Sequence, residues 1–165
     1  MRAVHQVLAT LGYGDAIGNE VLGIQRVLRA AGYESEIFVE TAHPKLEPLT
    51  RNYRELKDGV GPDDLLIHHF SIGSKASRVA YATPAKMILV YHNIQPAADA
   101  KAVRGADLTM RPEVFAAQMQ YLKDRKIPVV SLASLVDALE GKGSVPPRAV
   151  VITFDDGRVN QYHNA

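Results

Sequence analysis

The sequence contains no cysteine, which excludes disulfides, thiolate metal sites and cysteine nucleophiles together and leaves the redox compartment undetermined. Any metal must be bound through His, Asp or Glu. An excess of one charge is also missing: 19 Lys and Arg face 18 Asp and Glu, a formal net charge of +1. No global field would hold a polyanion or an anionic bilayer, so nucleic acid is not an expected partner. No apolar run approaches the roughly 18–20 residues of a membrane span. The opening MRAVHQVLATLGYGD breaks into Gly and Asp before a signal-peptide core forms, so the expectation is a cytoplasmic chain with no membrane span. Repeats and low-complexity tracts are absent as well. What is present is a chain of 165 residues, 47% hydrophobic and 22% charged, which suits one globular domain with a buried core and argues against intrinsic disorder.

Short β-branched runs alternate with longer helical stretches. Strands are expected at Val4–Leu8, Glu36–Glu40, Asp64–His68, Met87–Tyr91, Ile127–Val130 and Ala149–Phe154. Ile17–Ala31 carries apolar residues at helical spacing and is stopped by Gly32. Further helices are expected over Leu49–Leu56, over Lys75–Ala82 before Pro84, from Pro112 onward, and over Leu132–Leu139 before Gly141. Parallel neighbours need crossovers of about a dozen residues or more, and helices supply them here. The expected class is therefore α/β, a mainly parallel sheet of about six strands with helices on both faces. Ile94–Met110 loses the pattern and reads as a linker. After Asn160 the sequence runs out with QYHNA, and no helix is expected beyond the last strand.

At the carboxyl end of that strand stands Thr153-Phe154-Asp155-Asp156-Gly157. Ligand sites in parallel sheets form beyond the carboxyl ends of strands. One reading of the paired carboxylates is a division of labour, one Asp binding a divalent metal and the other acting as base on metal-bound water. The other is a turn and helix cap, for which Asp and Gly are the usual residues. The run Pro112–Ala165 closely resembles the opening of the polysaccharide deacetylase (NodB-like) family of carbohydrate esterases, with Phe115, Gln118 and Leu122 on a helix, Pro146-Pro147, and then VITFDDG. That resemblance implies hydrolysis of acetyl groups on a glycan, with Asp155 as catalytic base and Asp156 as a ligand of a divalent metal, zinc by expectation. The family completes its site with two His in an H-S/T-x-x-x-H-type segment, which these 165 residues do not contain. A catalytic zinc takes about three protein ligands, so the expectation is weak zinc binding and no turnover. His163 has no metal role in the family pattern and reads as a surface histidine.

Near the other end, Gly12, Gly14 and Gly18 in LGYGDAIGNE lie between the first strand and a long helix. Such a turn can hold a phosphate or a sugar hydroxyl on free backbone N–H groups, or be a tight turn capped by Asp15. It is neither the dinucleotide G-x-G-x-x-G nor a P-loop. Together with DDLLIHHFSIGS and MILVYHNIQPA, the stretch from about His5 to Ala97 resembles the amino-terminal, Rossmann-like domain of family 4 retaining glycosyltransferases of the GT-B fold. The resemblance implies Gly14, Asp15, Gly18 and Asn19 as the binding turn, and His69, Ser71 and His92 as cleft residues. Whichever of His68 and His69 points away from the cleft is read as a packed side chain. The family's second domain, which binds most of the donor, is not in the sequence.

Tyr91-His92-Asn93-Ile94 fits both resemblances, so the two parts join where they agree. The expected organisation is a glycosyltransferase-like half-domain at 1–97, a linker at 98–111 and a truncated deacetylase-like segment at 112–165, able to pack as one α/β domain. Three functions follow: a metal-dependent polysaccharide deacetylase, inactive in isolation; a glycosyltransferase-type part binding a sugar nucleotide or glycan without a cofactor; or an α/β fragment without chemistry.

Overall fold

The computed structural model describes residues 3–70, 74–96 and 109–165. Within them the hydrophobic alternation becomes β1 (Val4–Leu11), α1 (Ala16–Ala30), β2 (Ile37–Ala42), β3 (Arg51–Asn52), α2 (Leu56–Gly59), β4 (Leu65–Phe70), α3 (Lys75–Ala82) and β5 (Lys86–Tyr91). Then come β6 (Asn93–Ile94), β7 (Thr109–Met110), α4 (Pro112–Asp124), α5 (Leu132–Leu139), β8 (Val150–Phe154) and α6 (Val159–Asn164). Six strands form one sheet in the order β3-β2-β1-β4-β5-β8, and every neighbouring pair is parallel. The fold is thus α/β and Rossmann-like. From β1 the chain runs outward to β2 and β3, then returns to the far side of β1 and builds β4, β5 and β8. That reversal falls between β1 and β4, whose carboxyl ends mark the usual ligand position in this architecture.

Both faces are covered, which is why the inner strands are apolar on both sides. On one face Val21 of α1 packs with Leu8, Ile37 and Val39, and Leu135 of α5 with Val4, Leu65 and Val151. On the other, Leu56, Ala76, Ala80, Phe115 and Leu122 from α2, α3 and α4 close over Val7, Phe38, Leu66, Leu89 and Tyr91. A separate two-stranded parallel sheet pairs β6 with β7.

Three expectations change. Ile127–Val130 does not become a strand of the sheet. It makes one bridge, Val129 to Val150, because Pro128 has no N–H to extend a ladder and Ser131 already caps α5 by accepting from the Ser134 N–H at 3.1 Å. The sixth strand is instead β3, inside the stretch Leu49–Leu56 expected as a helix. A helix cannot run through there, because Asn52 and Glu55 form a capping box that starts the turn only at Tyr53. Thirdly, a helix does follow the last strand: α6, whose Gln161 side chain donates to the carbonyls of His92 and Asp155. Of the expected linker 98–111 only its end, from Thr109, is described; Ser71 likewise falls outside the described residues.

Candidate functional site

All strands of the sheet run the same way, so the turn after β1, the end of β4, His92 after β5 and Asp155-Asp156 after β8 share one edge. The turn is compact. Gly14 adopts φ +78°, a left-handed value that favours glycine. A Cβ on Gly18 would lie 2.2 Å from the Gly12 carbonyl oxygen, so only glycine lets α1 begin this close to the end of β1. Asp15 caps α1, its carboxylate accepting from the Gly18 N–H at 2.5 Å. The helix N-terminus therefore carries a carboxylate of its own where an incoming anion would sit. Gly14, Asp15 and Asn19 are exposed; Gly18 is buried.

His68 and His69 separate by the alternation of β4. His68 turns to the α3 face, where its Nε2 lies 3.2 Å from Ser77 Oγ and its ring meets Tyr81 edge-on; it is the packed one of the pair. His69 turns to the α1 face. Its Nε2 lies 3.0 Å from Gln6 Oε1, while Gln6 Nε2 donates to the Val21 carbonyl at 2.9 Å. The Gln6 oxygen can only accept, so His69 carries its proton on Nε2 and its Nδ1 is a bare acceptor. That Nδ1 is buried without a partner, as is Nε2 of His92. Burial, with the nearby His92 adding to it, lowers the His69 pKa to about 4, so this imidazole is neutral at pH 7.

Around the histidines the edge is acidic. Burial, then the negative charge of Asp155, raises the pKa of Glu20, while His92 opposes them; Glu20, His92, Asp155 and Asp156 thus lie within electrostatic reach of one another. Glu20 is the residue the sequence reading missed. Its signal was its place one turn into the helix after a glycine-rich turn. Asp155 is half-buried, its N–H bonded to the Tyr91 carbonyl at 2.8 Å. Asp156 is exposed at φ +69°, and its carboxylate accepts from Arg158 Nε at 3.2 Å.

These residues do not fit a zinc site. Asp156 is engaged by a cation, and among the described residues no group of three His, Asp or Glu is placed to share a metal, where zinc takes about three protein ligands. His163 is exposed on α6. An open groove of about 690 Å³ lies on the α3 side of the same edge, lined among others by Thr10, Glu40, Thr41, Lys75 and Arg78. Glu40 is held there by hydrogen bonds from the Ala76 N–H and its neighbours, which keep its carboxyl below the usual range against the opposing effect of burial. No helix of the described residues is long and apolar enough to cross a membrane. Compared with known proteins, the chain matches no family model and has no significant similarity to a curated protein or a solved structure.

Proposed function

We propose that this is a carbohydrate-binding α/β domain of the glycosyltransferase type, which takes an uncharged glycan or sugar moiety at the carboxyl edge of its sheet. The observation that carries the reading is the convergence, at the reversal of strand order, of the Gly12–Asn19 turn with His69, His92, Glu20 and Asp155. Imidazole nitrogens and carboxylates supply acceptors and donors for hydroxyl groups. An edge bearing four carboxylates, one of them on the helix N-terminus, repels phosphate. A sugar nucleotide would therefore bind through its sugar and more weakly than a neutral oligosaccharide. The neighbouring groove has a volume within the usual range of ligand sites, about 300–1,000 Å³. A second reading, a polysaccharide deacetylase segment, is favoured by Asp155 and Asp156 leaving β8 at this same edge; here it stands without a metal site, and no hydrolytic step is assigned to it.

The test is a titration followed by backbone-amide NMR, with chitotetraose and with a uridine diphosphate sugar in parallel. Chitotetraose should shift Gly12–Asn19 and His92 more strongly than the nucleotide does, and His92→Ala should weaken it about tenfold, equivalent to about 1.4 kcal/mol. Shifts confined to other surfaces, or none, would remove the proposal. Acetate released from the oligomer would support the deacetylase reading instead.

A further inference from the structure

The two edges of the sheet are built differently. β3 is two exposed residues long and carries Arg51, as edge strands that avoid pairing usually do. β8 has five residues, VVITF, with no charge and no proline, the composition of a strand enclosed on both sides. Its first half is buried, whereas Ile152 and Thr153 are half-exposed and Phe154 is 38% exposed. Of the ten large apolar side chains exposed among the described residues, six (Val129, Leu132, Val136, Phe154, Val159 and Tyr162) belong to β8 or to the segments beside it.

The hydrogen bonds say which groups of this edge are open. Ala149 and Asp155 face inward, accepting from Met87 N–H and donating to the Tyr91 carbonyl. Val150 faces outward, where Pro128 and Val130 take up its N–H and its carbonyl. With a period of two, Ile152 and Phe154 also point their N–H and C=O groups outward, and among the described residues no strand of the sheet lies beyond β8 to receive them.

We propose that this edge pairs antiparallel with the same edge of a second copy. The sheet then runs continuously through both. A register centred on Thr153 opposes Ile152 of each copy to Phe154 of the other and joins all their outward N–H and C=O groups. It leaves Val150 with Pro128 and Val130. The occupant is a second copy because the strand is complementary to itself: it has no charge to oppose its own image. The antiparallel sense also puts the Asp155-Asp156 pairs of the two copies at opposite ends of the paired segment, whereas a parallel pairing would stack four carboxylates together. Left-handed Asp156 turns the chain away before it meets the partner's Pro128–Val130. This pairing does not depend on the ligand reading above.

Sedimentation equilibrium should show a reversible monomer–dimer exchange of the unmodified protein at micromolar concentrations. Ile152→Pro removes only an outward N–H, so it should weaken the dimer about tenfold or more, or about 1.4 kcal/mol. Thr153→Cys gives a second readout in a chain that has no other cysteine. At the two-fold axis its pair is of the non-hydrogen-bonded kind, with Cα atoms about 4.5 Å apart, inside the range of a disulfide. Mild oxidation should crosslink it, and should leave a Leu49→Cys control monomeric. A protein that stays monomeric with no crosslink at Thr153→Cys, a dimer as tight in folded Ile152→Pro, or equal crosslinking of the Leu49→Cys control would overturn the proposal.

Discussion

Neighbouring histidines on one strand meet opposite surroundings, and both lose their basicity for the same reason. Burial lowers His68 to about 3 and His69 to about 4, from 6.5. Below pH 6.5 the unfolded chain takes up protons that the folded chain refuses, so the unfolded state binds more protons and stability rises with pH in that window. The contribution is complete above about pH 6.5 and is lost as pH falls toward 4, at about 1.4 kcal/mol per pH unit for each imidazole. Urea midpoints measured from pH 7 to 4.5 should fall steeply, and His69→Gln should make the slope shallower; an unchanged slope would mean that His69 is not buried as a neutral ring. Strand alternation made it legible that the pair would take opposite faces of the sheet. It did not reveal which takes which face, because that depends on Gln6 and Ser77, partners 63 and 9 residues away in the chain. Glu20 was hidden for a like reason: its neighbours arrive from β5 and β8. At Asp156 the ion pair to Arg158 leads to a further expectation. Calorimetric titration should show only weak zinc binding, unaltered in Asp156→Ala. Tight binding lost in that variant would restore a metal site.

Elements make three glycines distinguishable where the sequence shows one residue type. Gly18 sits against the Gly12 carbonyl, Gly14 holds a left-handed φ with open space around it, and Gly23 lies in the middle of α1 with nothing within 4 Å of a Cβ. Gly18→Ala should therefore push α1 off β1 and cost about 1–3 kcal/mol. Gly14→Ala should cost about 1 kcal/mol through backbone strain alone, and Gly23→Ala should stabilise by about 0.4–1 kcal/mol. Thermal midpoints decide the order, and a stabilised Gly18→Ala would show that the turn is looser than described. The main strands and helices were readable because hydrophobic period and caps agree in them, as in α4, where Pro112 opens a helix with Phe115 and Leu122 on its buried face. Ile127–Val130 and Leu49–Leu56 were misread because apolar content outweighed one local rule each: the missing N–H of Pro128 and the Asn52–Glu55 capping box.

At the scale of the molecule the question is whether residues 1–97 and 112–165 behave as two bodies. The register answers in structural terms. β8 pairs with β5 from Met87–Val150 through Tyr91–Phe154, and Phe115 and Leu122 of α4 share a core with Val7, Phe38 and Leu66. On the carboxyl edge, Asn160 donates to Gln95 Oε1 at 3.0 Å and Asn164 to the Ile94 carbonyl at 2.9 Å, so the last helix is tied to the end of the first part. The buried apolar residues of 112–165 cluster with those of 1–97, Phe115 and Val150 with Leu89 and Leu135 with Val4, and a chain of this size should then unfold as one unit. Leu89 tests it best, since it lies on β5 between β4 and β8 and is 1% exposed. Leu89→Ala should cost about 2–5 kcal/mol. In urea titrations at fixed protein concentration, the methyl resonances of Ala9 and Val151 should give one midpoint in the unmodified protein and one lower, still common, midpoint in Leu89→Ala. If the Ala9 midpoint moved while that of Val151 stayed, the parts would be separate folding units joined at Tyr91-His92-Asn93-Ile94, and the edge they form together would not be a single site.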